Sequence, residues 1–314
     1  MVLKIWASTP QTDPGTHRKD FPRITLSPMT MVGGSLIEID IKGPGSWNRE
    51  VEIDFLKDRG GDHGFKVKFL DARVWRYALA AIADLVDIGS VRVTSDGFMI
   101  RAMDPSHVAL IEFRVPSAGF EVFDVEGEAS IPISFEDLSK ILKRASKKDE
   151  LSLEYDGQRF WVELITPQGI GRRFSTPILS SSAIEEVPEL KIEFPVRSKM
   201  YPQAFYSAYK VFSEVGEVIT FSSTPEGLRI SRSSEIAEAE VILTLEGGGL
   251  LEHSHSGGDV ERASYTIDYF DKVAKASSIA EEASIAFGSD RPCEVALSVP
   301  RGARVVLYVA PRSE

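Results

Sequence analysis

Several groupings of side chains in this sequence could do chemistry. His253-Ser254-His255 could share one face of a strand and hold a metal ion, as histidines two apart can. No second ligand pair accompanies them, and Gly257-Gly258-Asp259 follows in a loop rich in glycine and serine. Gly247-Gly248-Gly249 lacks the Gly-Lys-Ser/Thr of a phosphate loop and reads as a turn. Cys293 follows Pro292 at the start of a strand and reads as packed beside the core, not as a nucleophile. His107 could be a general base, yet no paired carboxylate or serine stands at a supporting spacing. No catalytic constellation emerges, and neither a metal nor a cofactor is expected. A set of cations carries more information. Lys140, Lys143, Arg144 and Lys147, with Lys148 following, stand opposite the apolar stripe Leu138, Ile141, Leu142 and Ala145. The only acids there, Glu136 and Asp137, sit in the N-terminal turn that a helix dipole favours. Such a face suits a phosphate backbone. Without interleaved aromatics, a helix-turn-helix or a zinc pattern, sequence-blind contact fits better than base reading.

Whether that face matters depends on where the rest of the charge lies. The 314 residues carry a net charge of −11, which argues against nonspecific polyanion binding unless positive charge is concentrated on one surface. It is concentrated. The helical segments 72–86, 134–148, 200–215 and 267–278 hold ten basic and six acidic residues, net +4, while the remainder of residues 65–314 is at −14. A single cysteine excludes an intrachain disulfide framework, no apolar run approaches the roughly 18 residues of a membrane span, and the first residues are no secretory signal. The chain reads as cytoplasmic. One asparagine and four glutamines mark a depletion of thermolabile amides, a heat-adapted pattern.

The elements that position these residues occur twice. A strand at 65–69 leads to an apolar helix at 72–86 with Asp71 as N-cap, and 90–94 with 98–103 reads as a hairpin around Ser95-Asp96-Gly97. The order returns about 125–134 residues later: strand 190–194, helix 202–215, and hairpin 218–222 with 228–231 around Pro225-Glu226-Gly227. Likewise strand 129–133, helix 135–146 and strand 150–155 correspond to 263–267, 268–277 and 283–287. The expected fold class is α+β, two similar β-rich domains with two helices each. Residues 1–64 differ in texture, with turn-rich stretches around the alternating runs 36–41 and 51–55, and read as an N-terminal extension or a misassigned start. The division expected is 1–64, a first domain 65–179, a connector 180–189 and a second domain 190–314.

Three segments carry a family resemblance. Gly97-Phe-Met-Ile-Arg-Ala-Met103-Asp-Pro-Ser-His107-Val108-Ala-Leu110 resembles the MDxSHVxL segment of the proliferating cell nuclear antigen (PCNA) sliding clamps. Phe135-Glu-Asp-Leu-Ser-Lys-Ile-Leu-Lys143 resembles their second helix, and Leu307-Tyr308-Val309-Ala310-Pro311 their C-terminal ending. The order is right, and the resemblance spans residues 65–314; the lack of a long acidic tail gives the ending an archaeal look. The resemblance implies a DNA clamp fold whose subunits form a six-domain ring around duplex DNA. It implies a noncatalytic processivity factor, cytoplasmic and nucleoid-associated. Its partners are a DNA polymerase, clamp loader, ligase and nuclease, each docking through a PIP-box peptide. Homotrimers and heterotrimers of related subunits both remain open.

The resemblance also assigns residues. Arg73, Arg76, Lys140, Lys143, Arg144, Lys210 and Lys275 would face the DNA, with Lys147 of the same stripe, and Ser207 stands where the family often has a base. Met103, His107, Val108, Leu110, Val187, Pro188, Leu190, Pro292, Tyr308, Ala310 and Pro311 would line the docking pocket, although Met103 and Leu110 also read as plain core. Edge strands at 172–179 and 237–243 would pair between subunits, with Arg172 and Arg173 on one and Ala237, Glu238 and Val241 on the other. Two other readings have their own discriminators. A checkpoint-type clamp subunit would fail to bind a PIP-box peptide. A small-ligand enzyme on a duplicated α+β scaffold would need a deep apolar pocket with perturbed titratable groups.

Overall fold

Burial with a period of two at Phe65, Val67 and Phe69 makes β1 (Phe65–Phe69) a strand with one face on the core. Asp71 then starts α1 (Ala72–Ala83), its carboxylate accepting the Arg73 amide at 3.2 Å. The buried side of α1 centres on Trp75, met edge-on by Phe69, Phe98 and Phe113 at centroid distances of 5.9, 4.6 and 5.1 Å. The computed structural model describes residues 64–180, 187, 189–212, 217–233, 238–256 and 260–312. The runs 36–41 and 51–55 of the expected extension lie outside the described residues.

The first half continues with β2 (Ile88–Thr94), β3 (Gly97–Met103), β4 (Ala109–Pro116), β5 (Val122–Val125), β6 (Ala129–Ser134), α2 (Phe135–Leu142), β7 (Glu150–Tyr155), β8 (Phe160–Ile165) and β9 (Gly171–Thr176). The second half repeats the order: β10 (Val196–Met200), α3 (Pro202–Phe212), β11 (Val218–Thr224), β12 (Gly227–Ser233), β13 (Glu238–Thr244), β14 (Glu252–His255), β15 (Glu261–Thr266), α4 (Asp268–Ala274), β16 (Glu282–Phe287), β17 (Cys293–Val299) and β18 (Ala303–Val309).

The repeat extends to the pairing. One nine-stranded sheet runs β14-β10-β16-β17-β18-β4-β3-β2-β6, so five strands of the second half join four of the first through β18 and β4. The complementary pieces remain separate, as a five-stranded sheet β5-β1-β7-β8-β9 and a four-stranded sheet β13-β12-β11-β15. Registers match as well. Phe65 opposite Tyr155 corresponds to Val196 opposite Phe287, and Phe160 opposite Thr176 corresponds to Cys293 opposite Val309. Thr94 opposite Gly97 corresponds to Thr224 opposite Gly227, and Gly97 opposite Pro116 to Gly227 opposite Thr244. By this correspondence β9 takes the place of β18 and β13 that of β4, yet both are sheet edges. The fold is α+β, built twice.

Four sequence expectations need correction. The helix expected at 72–86 ends at Ala83, where the Asp84 amide bonds to the Ala80 carbonyl at 3.0 Å and the chain turns. The strand expected at 190–194 is not one. Pro195 follows it and cannot donate to a ladder, so pairing begins at Val196. The helix expected at 135–146 stops at Leu142. There the Ala145 amide turns back to the Leu142 carbonyl at 2.8 Å, and the Asp149 carboxylate accepts the Ser146 amide at 2.9 Å. Leu142 and Ala145 stay buried through that turn, so the apolar spacing imitates a longer helix. Similarly α4 ends at Ala274 and passes into a 3-10 turn, Lys275–Ile279.

Candidate nucleic-acid and partner surfaces

The helices share one face. α1 packs on α2 and on α4 with its following 3-10 turn, and α3 packs on that same turn and on α4. They form a single layer in the order α2, α1, α4, α3. The seam between the halves is polar as well as packed. The Tyr77 hydroxyl is hydrogen-bonded to Ser278, which holds its pKa below the usual tyrosine value against the opposing effect of burial.

The expected DNA-facing cations are not equivalent. Arg73 is committed to Asp71 at 3.1 Å. Arg76 donates to the Ala145 carbonyl at 3.0 Å and lies over the Tyr77 ring at 4.6 Å, so it ties α1 to the turn after α2. Lys140 is exposed but paired with Glu136 at 2.6 Å and near Asp137 at 3.7 Å. Lys143, Arg144 and Lys147 are exposed and make no ion pair among the described residues. They sit on the helix C-cap and the turn beyond it, not on a helical stripe. Lys210 and Lys275 are exposed on α3 and on the 3-10 turn.

Matching the halves shows where charge was kept. Trp75, Ala78 and Ile82 correspond in burial to Phe205, Ala208 and Phe212. Arg73 and Arg76 therefore correspond to Gln203 and Tyr206, and Tyr77 to Ser207. Phe135 and Ile267, whose amides bond to the Asp87 and Glu217 carbonyls, fix the second pair of helices. Lys140 and Lys143 keep their charge as Lys272 and Lys275, whereas Arg144, Lys147 and Lys148 become Ala276, Ile279 and Ala280. The helix layer is strongly basic in the first half only.

The expected docking residues converge on one corner of the nine-stranded sheet. Met103, Leu110 and Tyr308 lie side by side across β3, β4 and β18. The Ala310 amide donates to the Val108 carbonyl at 2.8 Å, and Pro292 precedes Cys293, which pairs with Val309. Leu110, Leu190 and Tyr308 line a cavity of about 210 Å³. Val187 borders a neighbouring hollow, Pro311 is half-buried, and Pro188 lies outside the described residues. Leu110 is 3% exposed, yet it stands on the sheet face it shares with Met103 and Tyr308 and not in the main hydrophobic core, which Ala109 and Ile111 face.

The chemistry of the cavity departs from an apolar slot. Its remaining lining includes Arg101, Glu112, Arg114, Glu189, Glu294 and Arg304. Glu112, 8% exposed, is held by Arg101 at 2.7 Å and by Arg114 at 2.5 Å. Glu294 takes Arg197 at 2.8 Å and the Tyr308 hydroxyl at 3.0 Å. Burial, reinforced by Glu294, pushes the Tyr308 pKa far up, so this hydroxyl stays a neutral donor. These charges could be found in the sequence by alternation, since Glu112 and Arg114 are two apart on one strand.

The loop carrying His107 is built on Asp104. Its buried carboxylate accepts the amides of Ser106, Val108 and Ala109 at 3.1, 2.8 and 2.6 Å, the Ser106 hydroxyl, and the Tyr269 hydroxyl of the other half at 3.3 Å. His107 takes a left-handed φ of 58° at the tip. Burial alone would raise the Asp104 pKa, but these hydrogen bonds outweigh it and hold the carboxyl below the usual aspartate value. The stability it contributes is therefore present above that value and lost as pH falls through the lower folded one. Asp104→Asn should cost about 1 kcal/mol at neutral pH. In urea melts the two proteins should converge once the pH falls below the lowered folded value of Asp104.

Arg172 and Arg173 lie on β9, Glu238 and Val241 on β13, and Ala237 lies outside the described residues. Phe174 and Ile242 are 39% and 56% exposed on these edges. Elsewhere, His253 donates Nε2–H to the Thr224 carbonyl at 2.8 Å and accepts from the Ser198 hydroxyl at 3.0 Å, so both ring nitrogens are occupied. Cys293 is buried, which pushes its thiol pKa far up. No helix among the described residues is long and apolar enough to cross a membrane.

A β-rich unit built twice, with its helices in one layer and, in each half, an edge strand whose counterpart in the other half is paired, has the architecture of a clamp subunit. The family model for the N-terminal domain of proliferating cell nuclear antigen matches residues 64–169. The DNA polymerase sliding clamp 3 of Aeropyrum pernix is 36% identical over 248 residues, 78% of this chain and 97% of that protein. Its counterpart in Sulfurisphaera tokodaii is 33% identical over 252 residues, 79% of this chain and all of that protein. A chain of the PCNA2–PCNA3 complex from Sulfolobus tokodaii superposes with a TM-score of 0.72 at 31% identity, covering 79% of this chain and 100% of that one. The chain belongs to the PCNA family of DNA sliding clamps.

Proposed function

We propose that this chain is one of three subunits that close around duplex DNA, a noncatalytic tether for DNA polymerase and other replication and repair enzymes. The observation that carries the reading is that β9 and β13, alone among the six edge strands described, correspond by the repeat to strands that pair with each other within the chain. The join that β18 and β4 make within the chain can be made once more between chains by β9 and β13, five strands and four again giving nine. Carried over from β18–β4, the register pairs Arg172 with Val241, Arg173 with Glu240, Phe174 with Ala239 and Ser175 with Glu238. Acid then meets base on the outer face, and Phe174 and Ile242 are covered.

The helix layer would line the hole and meet phosphates without regard to sequence, the first domain supplying most of the charge. The corner around Tyr308 would receive the PIP-box peptides of polymerase, clamp loader, ligase and nuclease. Residues 65–179 and 190–314 are the two clamp domains and 180–189 the connector, and the protein works in the cytoplasm at the nucleoid. A topological test decides it. The chain, alone or mixed with related clamp subunits, is loaded on nicked circular DNA and filtered. Retention on circles and release after linearisation are expected; equal retention on both forms sinks the ring.

A further inference from the structure

We infer that Arg172 selects the subunit that docks on the β9 edge, and that the favoured partner is a clamp-fold chain with a carboxylate where this chain has Val241. The inference rests on the ring reading above. Residues directly opposite in an antiparallel pair share a face. Arg172, Phe174 and Thr176 lie opposite the buried Leu164, Val162 and Phe160, so they stand on the core face of their sheet. The Arg172 Nε is buried without a hydrogen-bond partner, and its guanidinium makes no ion pair among the described residues.

The other edge carries the same defect. Ala239 and Val241 lie opposite Arg232 and Ile230, again on the core face. Arg232 is 4% exposed and donates to the Phe212 carbonyl, yet its Nε is also buried and unpartnered. A second copy of this chain would bring both guanidinium groups into one seam, with Val241 and Ala239 between them. The equivalent seam inside the chain has no such charge. There Val305 meets Phe113 and Leu307 meets Ile111, and Ala102 stands at the position of Arg232. Removing a charge from water without a partner is unfavourable, and a facing carboxylate relieves it. The outer face does not discriminate, because Arg173 meets Glu240 even in a homomeric pair.

Sedimentation of the full chain tests this with the wild type, Arg172→Leu, Val241→Glu and the double variant. Arg172→Leu takes one of the two guanidinium groups out of the seam, and Val241→Glu supplies the missing carboxylate. Each single variant should form trimers at a concentration at least about tenfold below the wild type. The double variant should lose most of that gain, because its new carboxylate then has no arginine directly opposite and only Arg232, diagonal to it and already bound to the Phe212 carbonyl, nearby. Thermal melts of each protein separate misfolding from a failure to assemble. A wild type that trimerises as well as either single variant overturns the inference while leaving the ring intact. Absence of self-association in all four overturns it too, and mixing with a related clamp subunit then shows whether the ring reading fails with it.

Discussion

Alanine at Lys143, Arg144 and Lys147 together should flatten the salt dependence of duplex binding by about three in log–log slope, near one for each phosphate no longer neutralised. All three side chains are exposed and form no ion pair among the described residues. Lys140→Ala should do much less, since Lys140 already shares its charge with Glu136 at 2.6 Å. Anisotropy titrations on a linear duplex across a salt series measure the slope. Assembly should be unchanged, because none of the three lies on β9 or β13. A triple variant with the wild-type slope would move the DNA-facing surface to the second domain, where Lys272 and Lys275 remain.

The physical grounds of that prediction were only partly legible in the sequence. Period-two spacing located β1, β6 and β7 almost to the residue and helical spacing located the start of α1, because each has a buried face, but the helix ends three residues before the expected Val86. The spacing could not distinguish a helix from a helix followed by a turn, since Leu142 and Ala145 are buried either way. Nor could it reveal that Arg76 is bound to a carbonyl, which depends on a partner 69 residues distant. The strand at Val196–Met200 was hidden for another reason. Its neighbours Leu190, Ile192 and Phe194 alternate better, and only Pro195 decides between them. Which edges stay open followed from neither pattern nor composition. It follows from the order of three sheets.

The docking corner calls for a different choice of variant from the one its motif suggests. Leu110 is the obvious target, but at 3% exposure it offers a ligand little surface, and its loss would leave a void beneath the cavity. Leu190 and Tyr308 are half-buried and border the same cavity. A PIP-box helix that buries apolar anchors there gains about 1.5–3 kcal/mol for each fully buried large side chain. Removing both walls with Leu190→Ala and Tyr308→Ala should cost about 3 kcal/mol, on the order of a hundredfold in affinity. Tyr308→Phe separates shape from charge. It keeps the wall but takes the hydroxyl from Glu294, whose other partner is Arg197 at 2.8 Å. If the wall is what the peptide uses, calorimetry should find Tyr308→Phe within about threefold of the wild type and the double alanine variant far weaker. Equal losses in the two would assign recognition to the charged floor of Arg101, Glu112 and Glu294 instead, and the ligand would then be read by polar contacts and not by its anchors.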